Sequence, residues 1–143
     1  MENAMPSIEA FFRQFELNNN RNDFSAAASQ FADTFMAAGP QSAQCVKVSD
    51  FVRALPKRKQ LFESFGCHSM QLINVEAHSL GGRYSMARTR WKMNFAEGVL
   101  SMEAPFVDST FIVHTTEQQL RIVLYLAHQD VMEILKERGL TKS

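Results

Sequence analysis

The sequence changes its hydrophobic period at Gly66, and this change constrains the fold more than any other feature. Before Gly66, apolar residues recur every three or four positions, as they do on one face of an α-helix. After Gly66, apolar and polar residues alternate, as they do in a half-buried β-strand. A chain that runs from helices into strands, without βαβ alternation, predicts an α+β domain in which helices gather at one end of an antiparallel sheet.

Three helices are predicted before Gly66. The first begins after Ser7, a capping residue, and ends at the turn-forming residues 18–20. The second begins at Asn22 or Asp23 and has Phe24, Ala27, Ala28 and Phe31 on one face. The third begins at Ser49 or Asp50, after a short strand at 44–48. Pro56 lacks a backbone donor, so we expect a break or a kink there.

The strands that follow Gly66 are punctuated by turn residues. Gly81-Gly82 and Glu97-Gly98 predict two tight turns, and residues 116–119 predict a hairpin between strands at 110–115 and 120–127. A final short helix begins at Asp130, with Glu133 as the second residue of a capping box and Gly139 as the stop signal.

Composition is typical of a soluble globular protein with one core. The 143 residues are 45% hydrophobic and 21% charged, which predicts a single domain over residues 1–143. No apolar run reaches the roughly 18 residues of a membrane span, and the N-terminal region lacks the pattern of a secretory signal. We therefore expect a cytoplasmic protein that does not enter a membrane, in which Cys45 and Cys67 are free thiols.

The formal net charge is zero, but the middle of the chain is basic. Residues 51–95 carry eight basic and two acidic groups, and the basic ones cluster only at 57–59. An overall balance of zero gives little long-range attraction to phosphate. We interpret the cluster as a solvated face and expect no nucleic-acid partner.

The element order and three stretches of sequence resemble the nuclear transport factor 2-like superfamily, also called SnoaL-like. The stretches are the FADTF segment at 31–35 with Gly39-Pro40, the RTRWKM strand at 88–93, and RIV at 121–123 leading to HQD at 128–130. The resemblance covers about residues 7–138. It implies a cone, in which a strongly curved antiparallel sheet of the cystatin-like α+β type wraps around the N-terminal helices.

The resemblance also implies an apolar pocket inside the cone and a homodimer through the outer face of the sheet. Members of the superfamily include isomerases, cyclases, hydrolases and proteins that only bind or transport, so the resemblance leaves the reaction open. The tyrosine that ketosteroid isomerase-like members carry on the first helix has no counterpart here. Six apolar residues are expected to line the pocket: Phe12, Phe15, Phe31, Phe35, Trp91 and Met93.

Two polar residues are candidates for catalysis. Asp33 is solvated if the second helix runs through it, but points into the cone as an acid or base if a strand starts near Ala32. His128 and Asp130 lie on the same side of an extended segment, where they could form an oriented general base. The alternative is structural, since Asp130 can cap the final helix while His128 ends a strand.

No cofactor or metal site is expected, because the sequence contains no glycine-rich phosphate loop, no CxxC and no HxxxH. The leading hypothesis is therefore a protein that binds a small apolar molecule in the cone, and acid–base chemistry of the isomerase, cyclase or hydrolase type stays open. The alternative is a non-catalytic interaction or accessory module whose cone is filled by its own side chains. Residues 121–126 are apolar on both faces, which predicts a homodimer through the outer sheet face.

Overall fold

A computed structural model describes residues 7–95, 105–116 and 119–137. Four helices and six strands lie in this part of the chain, in the order α1 (Ile8–Asn20), α2 (Phe24–Ala28), β1 (Phe31–Ala38), β2 (Ala43–Lys47), α3 (Val48–Ser64), β3 (Cys67–Gly81), β4 (Tyr84–Phe95), β5 (Phe106–Thr116), β6 (Gln119–Ala127) and α4 (Val131–Glu137). The α+β class predicted from the change of period is confirmed. The expected turn at 97–98 and the stop at Gly139 lie outside the described residues.

The six strands form one mixed sheet in the order β2-β1-β6-β5-β4-β3. The expectation of a fully antiparallel sheet is wrong at one place, because β1 runs parallel to β6. The whole meander of strands separates β1 from β6 in the sequence, so no tight turn forces the two to run in opposite directions. Register shifts within the β3–β4, β5–β6 and β1–β6 pairs bend the strands.

The second helix is shorter than the sequence predicts, because Phe31 belongs to β1 and not to the helix. The helix begins after Asp23, whose carboxylate accepts the Ala26 N–H at 3.2 Å, but it ends at Ala28 and Phe31 opens β1. The reason lies at Gln30, which is buried between α1 and β6. Its side chain bonds Asn18 and the Phe11 carbonyl, and its own carbonyl accepts the Ile122 N–H at 2.8 Å. These long-range hydrogen bonds draw the chain out of the helix.

The third helix is continuous, so the break expected at Pro56 is not found. α3 runs through Pro56 to Ser64. Pro56 lies on its exposed side, whereas Leu55 is buried and Phe51 and Phe62 pack against the core from the same helix. Packing along this apolar face offsets the one hydrogen bond that proline cannot donate. Gly66 ends the element with a φ of 90°, as a left-handed residue should.

Alternation along β4 separates the two faces of the sheet. Ala87, Thr89, Trp91 and Met93 are buried, while Arg88 and Arg90 between them are exposed. α1 lies across the buried, concave face and brings Phe12 within 4.7 Å of the Phe111 ring centroid on β5. The hydrophobic core therefore fills the space between the concave face and the helices. Among the described residues, none of the helices has the length and apolar character needed to cross a membrane.

Candidate functional site

A cavity of about 140 Å³ lies between the concave face of the sheet and helices α1 and α3. Eight aromatic rings from seven different elements contribute to its wall: Phe15, Phe24, Phe31, Phe51, Phe62, Trp91, Phe111 and Tyr125. The ring of Phe15 contacts the cavity wall on both β4 and β1, since its centroid lies 5.9 Å from that of Trp91 and 6.0 Å from that of Phe31. A space of this size is comparable to one that holds a single benzene ring.

The rings are positioned by the periodicity of their elements. Phe15 lies one turn beyond Phe11 and Phe12 on the inner face of α1. The ring of Phe51 on α3 packs at a tilt against Phe31 of β1, with centroids 4.7 Å apart. Tyr125 lies parallel to Phe111 of the neighbouring strand, with centroids 4.9 Å apart. These ring contacts hold each aromatic side chain in a fixed orientation in the cavity wall.

The side of the cavity formed by Trp91 is held by buried hydrogen bonds. Trp91 Nε1 donates to Thr89 Oγ1 at 2.9 Å, and that hydroxyl donates to the Ser109 carbonyl at 3.1 Å. Both Thr89 and Trp91 are buried, so each bond satisfies a group that water cannot reach. The indole is thereby fixed in one orientation against the cavity.

Two carboxylates in the wall are each bound by the protein itself. Glu16 accepts the Leu72 N–H at 2.7 Å and lies 3.6 Å from the Arg13 guanidinium. Asp108 accepts a hydrogen bond from Gln129 Nε2 at 3.2 Å and lies 3.8 Å from Arg90. Their charges are compensated within the fold.

The two cations in the wall are bound differently. Arg58 and Lys59, which lie side by side on α3, belong to the lining of the cavity. Arg58 lies over the Phe62 ring at 5.2 Å, and Lys59 Nζ donates to the His68 carbonyl at 3.0 Å. Within the described residues, no carboxylate forms an ion pair with either one.

Cys67 contributes a neutral thiol to the same wall. Burial raises the pKa of the Cys67 thiol, and this effect exceeds the opposing effects of backbone hydrogen bonding at Ser69 and of the charge of Lys59. Both cysteines are free, as the sequence predicted, and the structure shows Cys45 exposed and Cys67 buried. Residues 7–95, 105–116 and 119–137 contain no cluster of three potential metal ligands.

The structure divides the six predicted pocket residues into two groups. Phe15, Phe31 and Trp91 line the cavity. Phe12, Phe35 and Met93 are buried in the core around it and do not line it. Which of them contacts a ligand stays a prediction.

The two candidate catalytic residues do not meet at the cavity. Asp33 lies in a strand, as one of the two alternatives required, but its side chain is exposed and is not part of the cavity wall. His128 is also exposed, with Nε2 2.7 Å from Thr110 Oγ1. Asp130 Oδ1 accepts the Glu133 N–H at 3.3 Å, which confirms its capping role. A catalytic role for Asp33 or His128 stays a prediction.

Sequence analysis missed several polar residues of the cavity. Arg58 and Lys59 were assigned to a solvated face, because the sequence does not state which side of α3 meets the sheet. Regular alternation along β6 predicts that Ile122 and Tyr125 lie on opposite faces of the sheet, so the sequence does not place Tyr125 in the cavity. A bulge at Val123 instead places Ile122 and Tyr125, three residues apart, on the same inner face. The hydrogen bonds between Asp108 and Gln129 cannot be predicted from the sequence, because the two residues are 21 positions apart and belong to no recognisable motif.

Comparisons with known proteins establish the fold. The sequence matches no protein-family model and no curated protein. Among solved structures, a nuclear transport factor 2-like protein of unknown function from Shewanella oneidensis MR-1 is similar, with 17% identity, 85% of this chain and 96% of that chain covered, and a TM-score of 0.68.

Two further structures have names that refer to enzymes. The beta subunit of benzoate 1,2-dioxygenase from Burkholderia mallei has a TM-score of 0.68 at 14% identity, with 93% of this chain and 96% of that chain covered. A ketosteroid isomerase-like protein from Erwinia carotovora atroseptica has a TM-score of 0.62 at 14% identity, with 85% and 92% covered. At these identities the similarity is one of fold, and the resemblance stated from the sequence is confirmed at that level.

Proposed function

We propose that this chain, which has the nuclear transport factor 2-like fold, binds a small organic molecule with an apolar body in the cavity between its sheet and helices. The observation that carries the proposal is the aromatic wall around an open space of about 140 Å³. Ligand sites are typically concave, mainly apolar and equipped with a few polar groups, and this cavity has each of these properties.

The cavity favours this proposal over an accessory module with a filled cone. In a filled cone, side chains would close the space between Phe15, Trp91 and Phe31, because interiors pack as densely as organic crystals. Here an open space of about 140 Å³ remains beside these rings instead. Since neither Asp33 nor His128 lines this void, the proposal concerns binding and assigns no reaction. A cytoplasmic location, expected from the sequence, belongs to the same proposal.

The proposal also includes a homodimer through the outer face of the sheet. Apolar side chains pair directly across neighbouring strands there: Met36 with Leu124, Leu124 with Ile112, and Ile112 with Met86. All four are only half-buried in the single chain. A contiguous apolar patch of this kind is typical of a protein–protein interface, and in a two-fold dimer the patch would meet its own copy.

Trp91 supplies a direct test of ligand binding, because it is the sole tryptophan of the sequence and lies in the cavity wall. Bromobenzene is a neutral, ring-sized probe whose heavy atom quenches indole fluorescence at contact. We expect saturable quenching together with a rise in the melting temperature, since a ligand that binds the folded state stabilises it.

A matched pair of variants locates the binding. Ala127 lies in the cavity wall, so Ala127→Leu should fill part of the space and weaken quenching. Ala77 is exposed on β3, so Ala77→Leu should leave quenching unchanged. Quenching that rises linearly with concentration, with no thermal shift, would contradict the proposal.

A further inference from the structure

The charged groups around the cavity suggest the chemical class of its ligand. The wall contains two carboxylates, Glu16 and Asp108, and two cations, Arg58 and Lys59. Counted formally, these charges cancel. The charge that is available to a ligand depends instead on which of these four groups already form ion pairs within the protein.

Both carboxylates are paired within the fold. Arg13 lies 3.6 Å from one oxygen of Glu16, and the Leu72 N–H occupies the other at 2.7 Å. Arg90 lies 3.8 Å from one oxygen of Asp108, and Gln129 donates to the other. A cationic ligand would have to compete with these partners for either carboxylate.

Both cations keep unused donors. Lys59 has three N–H donors, of which the His68 carbonyl takes one. Arg58 has five donors, and its Cζ lies over the Phe62 ring at 5.2 Å; among the described residues none of these donors forms a hydrogen bond with the protein. Within the described residues no acidic side chain forms an ion pair with either cation, so the uncompensated charge at the cavity is positive.

The three neutral amides of the wall, Asn19, Asn20 and Gln129, each donate a hydrogen bond to the protein, and Asn19 bonds the Phe15 carbonyl at 2.8 Å. Asn20 bonds both the N–H and the carbonyl of Met70 at 3.1 and 2.8 Å, so neither end of its amide is left over. Gln129 likewise uses both ends on Asp108. An anionic group of a ligand therefore finds its positively charged donors at Arg58 and Lys59 on α3.

We propose that the cavity binds an organic monoanion, with its ring-sized apolar body against Trp91 and Phe15 and its carboxylate on Arg58 and Lys59. The inference rests on the proposed function, because it adds the charge of the ligand to a cavity already argued to bind one. Arg58 is exposed and marks the rim, so the charged head stays near water while the body is buried. This arrangement avoids the large cost of fully burying a charge.

Three probes of nearly equal size isolate the charge: 3-phenylpropionate, its neutral amide 3-phenylpropionamide, and the cation 3-phenylpropylammonium. Affinity is measured by Trp91 fluorescence and by calorimetry at low salt. We expect the carboxylate to bind about tenfold more tightly than the amide, as one charge-assisted hydrogen bond allows, and the ammonium to bind most weakly. Added salt should reduce the advantage of the carboxylate.

Three glutamine variants on α3 identify the groups responsible. Arg58→Gln and Lys59→Gln should each remove most of the preference for carboxylate over amide. Lys57→Gln is the matched control, because Lys57 is adjacent in sequence, exposed and not part of the cavity wall. Binding of bromobenzene by each variant verifies that the cavity is intact.

The outcomes separate this inference from the proposed function. If bromobenzene binds the unchanged protein but the amide or the ammonium binds as tightly as the carboxylate, the charge assignment is overturned and the cavity remains a binding site. If none of the four probes binds, the proposed function itself falls. A preference for carboxylate that survives in both Arg58→Gln and Lys59→Gln would also overturn the assignment.

Discussion

Both faces of the sheet carry apolar side chains, but the two faces organise them differently. On the concave face, rings such as Trp91 and Phe111 meet the rings of the helices at fixed angles and leave a cavity. On the outer face, flexible and branched side chains such as Met36 and Leu124 lie beside each other with arginines at their margin. Rigid rings on a curved surface leave space for a small molecule, whereas a row of aliphatic side chains offers a surface to another protein.

The largest expected difference in stability is between substitutions at two neighbouring positions of β4, one on each face of the sheet. Trp91→Ala should lower the free energy of unfolding by about 3–5 kcal/mol, because a large, buried ring is removed from the concave face. Lys92→Ala changes the next residue, on the outer face, and should cost about 0.5 kcal/mol or less. Urea denaturation followed by circular dichroism measures both, and equal losses would break the distinction between the faces.

The outer face is tested through the oligomeric state. We expect a dimer at micromolar concentration and at least about a hundredfold weaker dimerisation in Leu124→Glu, since the variant puts a charge into an apolar, self-complementary patch. Light scattering coupled to size-exclusion chromatography gives the mass. Gln71→Glu, on the exposed edge strand β3, is the control and should remain dimeric. A monomeric unchanged protein would refute the dimer.

A pair of threonines compares hydrogen bonds on the two faces. Thr89→Val should cost about 1–3 kcal/mol, because it leaves the buried Trp91 N–H and the Ser109 carbonyl without their partner. Among the residues that the structure describes, the hydroxyl of Thr110 bonds the exposed His128 and no other group, so Thr110→Val should cost about 1 kcal/mol or less. Thermal and urea unfolding provide the numbers. A larger loss of unfolding free energy in Thr110→Val than in Thr89→Val would contradict the expectation that hydrogen bonds on the concave face contribute more to stability.

The smallest effects are expected after β6. Asp130→Ala should cost about 0.5–2 kcal/mol, because the first turn of α4 loses the carboxylate that accepts the Glu133 N–H. His128→Ala should change stability by about 0.5 kcal/mol or less and leave bromobenzene quenching unchanged, since the ring is exposed and outside the cavity wall. Loss of ligand affinity at an unchanged melting temperature would instead place His128 in the site.

Local patterns determined much of the fold. The caps at Ser7 and Asp23, the left-handed Gly66 and the alternation of β4 all follow from interactions within a few residues, and each is present as predicted. Burial of Trp91 follows in the same way, because a strand with one apolar face turns that face towards the core. These features need no knowledge of distant parts of the chain.

Tertiary structure decided the remainder. Gln30 ends α2 through bonds to α1 and β6, β1 joins β6 in parallel, and a bulge at Val123 turns Tyr125 inward. The pairing of Asp108 with Gln129 and the position of Arg58 and Lys59 at the rim likewise depend on residues far apart in sequence. The sequence by itself thus determined which elements form and which face of each is apolar, because those properties have a local period. Only the packed structure decided the shape of the cavity and which of its charges are left unpaired, because both depend on contacts for which the sequence has no period.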